Sequence, residues 1–161
     1  MKILVTGAGG LLGRALVAHL ERGCPVIGLD RSALDISSKA AVREALGLHQ
    51  PDILINAAAF TDVDGAETQP DAAREANTIG PGILAEQTCT AGSRLLTVST
   101  DYVFDGNKEG PYDENDIPSP LSVYGHTKLA GEEEVRHLNP KHFIVRTAWL
   151  YDSPGKCFAQ T

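Results

Sequence analysis

A glycine run set between a strand and a helix is the feature that most limits what this chain can become. Lys2-Ile3-Leu4-Val5-Thr6 is a short apolar stretch of strand-forming residues, and Gly7-Ala8-Gly9-Gly10-Leu11-Leu12-Gly13 breaks it. Over residues 14–21 the pattern turns helical, with Leu16, Val17 and Leu20 on one face. A strand, a glycine turn and a helix start in that order form a cradle for a diphosphate. The backbone can approach the phosphates, and the helix N-terminus offers unpaired N–H groups at its positive end. The glycines stand at 7, 10 and 13, a G-x-x-G-x-x-G spacing in place of G-x-G-x-x-G. The next apolar run, Val26-Ile27-Gly28-Leu29, ends in Asp30, where a ribose-binding carboxylate follows a dinucleotide turn. Asp30 favours a free 2′-hydroxyl and neighbouring Arg31 a 2′-phosphate, so either NADH or NADPH is expected to bind, without strong preference.

The remaining pattern continues the alternation of strand and helix. Ser37 or Ser38 caps a helix whose apolar members are Ala40, Ala41, Val42, Ala45 and Leu46. Ile53-Leu54-Ile55 is a buried strand, and the small residues of Asn56-Ala57-Ala58-Ala59 leave room above its end for a flat ligand. A loop carrying Thr61, Val63 and Asp64 leads to a long helix over about 71–91, bent where Pro81 removes an N–H. Residues 94–99 and 143–147 are two more strands, 105–120 a loop and 121–138 a helix. The expected fold is α/β: a Rossmann-like, doubly wound parallel sheet with helices on both faces. Residues 1–147 complete an NAD(P)-binding domain. Residues 148–161, with a helix beginning near 156, are expected to open a C-terminal substrate lobe that the chain lacks.

Composition narrows the partners. With 161 residues, 42% of them hydrophobic, the chain suits one domain with a proper core. A net charge of −7 without any Lys/Arg cluster argues against nucleic acid. Cys24, Cys89 and Cys157 show no metal-ligand spacing and fit a reducing cytoplasm. No apolar run is long enough for a membrane span and nothing reads as a signal peptide, so a cytoplasmic protein is expected. Asp62 and Asp64 read as a polar loop, the five histidines show no ligand spacing, and no metal site is expected. Glu132-Glu133-Glu134 reads as a solvated helix face.

Tyr124-Gly125-His126-Thr127-Lys128 puts a phenol and an ammonium four residues apart, on one face of a helix. A tyrosine of ordinary pKa, near 10, is a poor proton donor at neutrality. A lysine charge about 5 Å away, at an effective dielectric of about 20, is worth roughly 3 kcal/mol, or about two pKa units. A bare Y-x-x-x-K is usually a pair of surface neighbours. This one follows the fourth strand of a dinucleotide fold, and Ser99-Thr100 at that strand's end adds a hydroxyl for a substrate carbonyl. Together they point to hydride transfer coupled to proton transfer.

On residues 1–13, Asn56-Ala57-Ala58-Ala59, Ser99-Thr100-Asp101-Tyr102-Val103-Phe104-Asp105-Gly106, 120–131 and 146–151, the chain resembles the dTDP-4-dehydrorhamnose reductase family of extended short-chain dehydrogenase/reductases, over the family's N-terminal lobe. The resemblance implies NAD(P)H-dependent reduction of the 4-keto group of dTDP-4-dehydro-6-deoxy-L-mannose to dTDP-L-rhamnose, a step of cell-surface polysaccharide biosynthesis. It implies Thr100, Tyr124 and Lys128 as the catalytic triad. Gly7, Gly10, Leu11, Leu12, Gly13, Asp30, Arg31, Asp35, Ile36, Ala58, Ala59 and Lys128 would hold the dinucleotide. Thr61, Val63, Thr100, Asp101, Tyr102, Tyr124 and Trp149 would line the deoxysugar. Asn77 matches the asparagine that supports the lysine, or is an ordinary polar helix residue. Some members dimerise through magnesium on an early-helix glutamate. Ala15 stands there, which counts against that mode and leaves a homodimer open. Two other readings remain: an NADP-binding regulatory subunit of the S-adenosylmethionine synthetase type, and a dinucleotide-binding fragment without activity of its own.

Overall fold

Runs of strand formers punctuated by glycine and proline yield five short strands and six helices over residues 1–151, the part of the chain that this computed structural model describes. The expected helix start near 156 and Cys157 lie outside the described residues. The strands are β1 (Ile3–Thr6), β2 (Val26–Leu29), β3 (Ile53–Asn56), β4 (Arg94–Thr100) and β5 (His142–Thr147). They pair in the order β2-β1-β3-β4-β5, every neighbour parallel. The topological switch therefore falls between β1 and β3, and ligands of such sheets bind outside the strands' carboxyl ends at that point.

Helices α1 (Leu11–Leu20), α2 (Lys39–His49), α3 (Val63–Thr68), α4 (Pro70–Arg74), α5 (Gly80–Ala91) and α6 (Val123–Leu138) cover the sheet. On one face Leu4, Leu54 and Leu95, adjacent across β1, β3 and β4, pack with Val42 and Leu46 of α2, Leu84 of α5 and Val135 of α6. On the other, Ile3, Val5 and Ile55 lie under Leu16, Val17 and Leu20 of α1. Two residues along the first face the leucine row gives way to Thr6, Asn56 and Thr97. Thr6 Oγ1 donates to Asn56 Oδ1 (2.7 Å), and Asn56 Nδ2 donates to Thr97 Oγ1 (3.2 Å). The core thus turns polar, with its hydrogen bonds satisfied, as it nears the ligand end.

The long helix expected over 71–91 is more articulated than its sequence suggested. Asp62, read as loop, caps α3 by accepting from the Gly65 N–H (2.9 Å). Gln69-Pro70 then restarts the chain into α4, and Glu75–Ile79 is a π turn before α5, where the Gly80 N–H reaches back five residues to the Glu75 carbonyl. Pro81 cannot donate to Asn77, and a π turn accommodates that loss by adding a residue to the coil. The widened turn presses the Asn77 carbonyl against α6 at Gly131, where any Cβ would collide with it.

The acidic run on α6 also needs correcting. Glu133 and Glu134 are exposed as expected, but Glu132 is 1% exposed. The helical period turns it toward β5, where an arginine waits. Among the described residues no helix is long and apolar enough to cross a membrane.

Candidate functional site

The glycine turn builds one half of the site. Gly7 leaves β1 with φ +69°, and a Cβ there would sit 2.6 Å from the Ala58 nitrogen. Gly13 packs against the Gly7 carbonyl just as closely. Gly10 is exposed, and the N-cap of α1 with no side-chain cap and no acid in the first turn. By contrast Ser38, Asp62 and Ser122 cap α2, α3 and α6 with their own oxygens. The first N–H groups of α1 are thus left for an anion. Gly7 and Gly13 let the turn close, whereas Gly9 and Gly10 keep its outer surface bare.

A cavity of about 810 Å³ opens over this turn. Of the expected dinucleotide residues, Gly7, Gly10, Asp30, Arg31, Asp35, Ile36, Ala58 and Ala59 line it, and so does Thr61 from the expected sugar set. Leu11, Leu12 and Gly13 do not. Ile36 borders the cavity, but its side chain is buried against Gly80. A larger concavity, about 1000 Å³, lies at the opposite end of the sheet between Arg43, Asp52, Arg94 and Lys141. It faces the strands' amino ends, away from the switch point.

Two serines fix the acidic rim: Ser32, which the sequence reading passed over, and Ser37, which it offered as a helix cap. Asp30 Oδ1 accepts from the Ser32 hydroxyl (2.6 Å), the Ala33 N–H (3.0 Å) and the Ser32 N–H (2.9 Å). These bonds, led by the Ser32 hydroxyl, hold its carboxyl below the usual range and leave Oδ2 outside that network. Asp35 Oδ1 likewise accepts from the Ser37 hydroxyl (2.7 Å) and N–H (2.9 Å). The signal was present as D-x-S twice, the pattern of an Asx turn.

Thr100, Asp101, Tyr102, Tyr124 and Lys128 form the second half, beyond the cavity wall. Thr100 ends β4, accepts from the Tyr102 N–H (3.2 Å) and donates to Asp101 Oδ1 (3.1 Å). Tyr124 and Tyr102 meet edge to face, centroids 5.6 Å apart. Lys128 is buried one turn beyond Tyr124, and its Nζ donates to the Val98 carbonyl (2.7 Å). Burial lowers Lys128 to about 8 against an opposing pull from Glu132. The expected depression of the tyrosine does not appear: burial raises Tyr124, and what lowers it is the Thr100 hydroxyl. An ammonium turned toward a β4 carbonyl, and itself desolvated, does little for the phenol beside it.

Asn77 is 1% exposed and touches the site indirectly. Its Oδ1 accepts from the Phe60 N–H (2.9 Å), and its Nδ2 donates to the Phe60 carbonyl (3.0 Å) and Thr127 Oγ1 (3.2 Å). It ties the loop after β3 to the helix that carries Tyr124 and Lys128. Val63 begins α3, and Trp149 is 72% exposed with φ +54°; neither lines the cavity. No group of acids, histidines or cysteines able to hold a metal occurs among the described residues.

A family model described as the RmlD substrate binding domain matches residues 1–161. The dTDP-4-dehydrorhamnose reductase of Aggregatibacter actinomycetemcomitans is 45% identical over 99% of this chain and 55% of its own length. The solved dTDP-4-dehydrorhamnose reductase of Clostridium acetobutylicum superposes with a TM-score of 0.96 at 46% identity, covering 99% of this chain and 57% of that one. The Bacillus anthracis reductase, solved in complex with NADP, gives 0.96 at 39% identity over 99% and 57%. The chain spans about half the length of the curated relatives it matches.

Proposed function

We propose, since the chain belongs to the RmlD substrate binding domain family, that it binds NADPH or NADH over the β1–α1 turn and serves the reduction of a dTDP-linked 4-keto-6-deoxysugar to dTDP-L-rhamnose. The observation that carries the dinucleotide half is the bare Gly9-Gly10 surface beneath an uncapped helix start, with the Asp30 carboxylate at its rim. A Cβ on either glycine would intrude on the space that a diphosphate needs.

The reduced nicotinamide, when bound, supplies the hydride. Thr100 orients the sugar carbonyl, Tyr124 donates the proton that the developing alkoxide takes up, and Lys128 holds the ribose beside them. Burial holds the phenol above its ordinary range, which keeps the proton on it but makes it a weaker acid, and the Thr100 hydroxyl is the contact that works against that burial. Asp101 and Tyr102, with Thr61, Val63 and Trp149, are the sugar-side residues of this reading. It places the protein in the cytoplasm. A homodimer would have to form without the early-helix glutamate, whose place Ala15 takes. No observation favours the regulatory-subunit alternative.

The deciding measurement is oxidation of NADPH or NADH by the protein with and without the dTDP-ketosugar, beside a fluorescence titration of the dinucleotide. Dinucleotide binding is expected from residues 1–161, with ketosugar-dependent oxidation barely detectable there and full only in a protein that carries the C-terminal lobe as well. Absence of dinucleotide binding would overturn the reading outright.

A further inference from the structure

The carboxylate beneath the lysine has no part in the chemistry above, and it is built with unusual care. Glu132 lies one helical turn beyond Lys128 on α6, both nearly closed off from solvent. Its Oε1 accepts from Arg146 Nε (2.9 Å), and its Oε2 accepts from Arg146 Nη2 (2.7 Å) and Arg136 Nη2 (2.8 Å). Arg146 reaches it from β5, where its register partner on β4 is Ser99, next in sequence to Val98, whose carbonyl receives Lys128. Arg146 also lies over the Phe104 ring, 5.0 Å to its centroid, and Phe104 stacks on Tyr112 at 4.1 Å. The Ser99 hydroxyl, buried without a hydrogen-bond partner of its own, faces this carboxylate closely enough to help hold it ionised.

We propose that Glu132, clamped by Arg146 and Arg136 and buried one helical turn from Lys128, is a positioning residue for that lysine: it is the counter-charge that favours the ammonium form, while the Val98 carbonyl sets the direction in which the ammonium points. The charges involved are few. Glu132 is the charge that acts on Lys128, while Arg146 from β5 and Arg136 from α6 itself act on Glu132. The coupling is one-sided. The arginines hold Glu132 ionised against its burial, so its charge is always present, and the desolvated lysine feels that charge as support. Two guanidiniums on one carboxylate leave only part of its field for Lys128. Burial is what brings the lysine down to about 8, and Glu132 pulls against it. Sheet, loop and lysine are linked through this one carboxylate, since Phe104 and Tyr112 fix the arginine that fixes Glu132.

That Lys128 serves the site rests on the proposed function, but the coupling can be read without turnover. The ¹³Cε resonance of Lys128, in lysine-labelled protein free of dinucleotide, is titrated from pH 6 to 11 and assigned by its loss in Lys128→Met. Glu132→Gln should move the midpoint down by at least about half a unit from its position near 8. Arg136→Gln, on a side chain that is partly exposed and so easily lost, should move it up. Glu133→Gln on the exposed face should leave it in place. If Glu132→Gln does not fold, the upward shift in Arg136→Gln remains the test. An unmoved midpoint in folded Glu132→Gln, or in Arg136→Gln, overturns the proposal. If the shifts occur in a protein that binds no dinucleotide, the pairing stands and the function assigned to the site fails.

Discussion

Gly7 lies so close to Ala58 that a β-carbon on the glycine would stand 2.6 Å from the alanine's nitrogen. The turn and the end of β3 are therefore pressed together before any ligand arrives, and the glycines of the run divide into two kinds. Gly7→Ala should cost stability, several degrees of Tm or more, because both the positive φ and the contact forbid a side chain. Gly10→Val should leave Tm within a few degrees while abolishing dinucleotide binding. Thermal melts and a fluorescence titration separate the two. Unchanged affinity in Gly10→Val would remove the cradle assignment.

Coenzyme choice turns on Asp30 and Arg31. With Asp30 held by Ser32, its carboxylate repels a 2′-phosphate from a fixed place, while exposed Arg31 attracts it. Dissociation constants for NADPH and NADH should lie within tenfold of each other, about 1.4 kcal/mol. Arg31→Ala should weaken NADPH alone, and Ser32→Ala should narrow whatever preference NADH has by freeing the carboxylate.

In a protein that carries the C-terminal lobe as well, Tyr124→Phe should lower kcat for the ketosugar by roughly 10² to 10⁴ and leave coenzyme affinity near wild type, because only the proton donor is lost. Lys128→Met should damage both, since the lysine contributes to binding as well. Equal and mild effects of the two substitutions, in steady-state kinetics, would count against the proposed roles.

The Glu132–Arg146 pair sets a stability prediction. Arg146→Met leaves the carboxylate with Arg136 alone and should destabilise by about 3 kcal/mol in urea unfolding. Replacing both partners, as Glu132→Leu with Arg146→Met, should cost less than the single change. The sign with pH follows from the lowered carboxyl: its stabilisation is present above the unfolded pKa and fades as pH falls through the folded one, so the pair weakens in acid.

Lys128 acts in the opposite range. Its folded pKa of about 8 lies below the unfolded 10.5, so between those values the unfolded chain binds more protons and stability rises with pH. The rise is on the order of 3 kcal/mol. Measured as wild type minus Lys128→Met, it should appear between pH 8 and 10.5, which removes the contrary trend from Tyr124. A flat difference would mean that the lysine is solvated.

The sequence displayed the sheet and the main helices because the strands are runs rich in apolar residues and α1 and α2 carry an apolar stripe, whereas α4 and α5 have no side-chain cap. Of the two serines offered as the cap of α2, Ser38 holds that place, and Ser122, not read as a cap, is the one that starts α6. The π turn at Glu75–Ile79 was hidden because it arises from tertiary contact, where Gly131 admits a carbonyl that no local pattern specifies. Glu132 was misread for a related reason. Three consecutive glutamates read as solvent-facing, and the arginine that buries one of them stands fourteen residues away on another element. The depression of Tyr124 failed because spacing fixes the helical face and not the direction in which a lysine points. Lys128 turns to Val98. The shape of the glycine turn was legible because glycine spacing records close backbone approach, whereas the protonation of Tyr124 and Lys128 depends on burial that spacing does not record.

The order β2-β1-β3-β4-β5 also bears on how the chain is made. β1 leaves the ribosome first and pairs with β2, and each later strand joins an edge that is already present: β3 on β1, β4 on β3, β5 on β4. No strand has to be inserted between two others, and no early pairing has to be undone. Translation at about 5–20 residues per second gives each addition seconds to settle before the next strand emerges. The sheet can therefore grow outward in the order of synthesis. Among the described residues the outer edge of β2 stays open throughout, while at the growing edge each of β1, β3 and β4 is covered by the next strand to emerge.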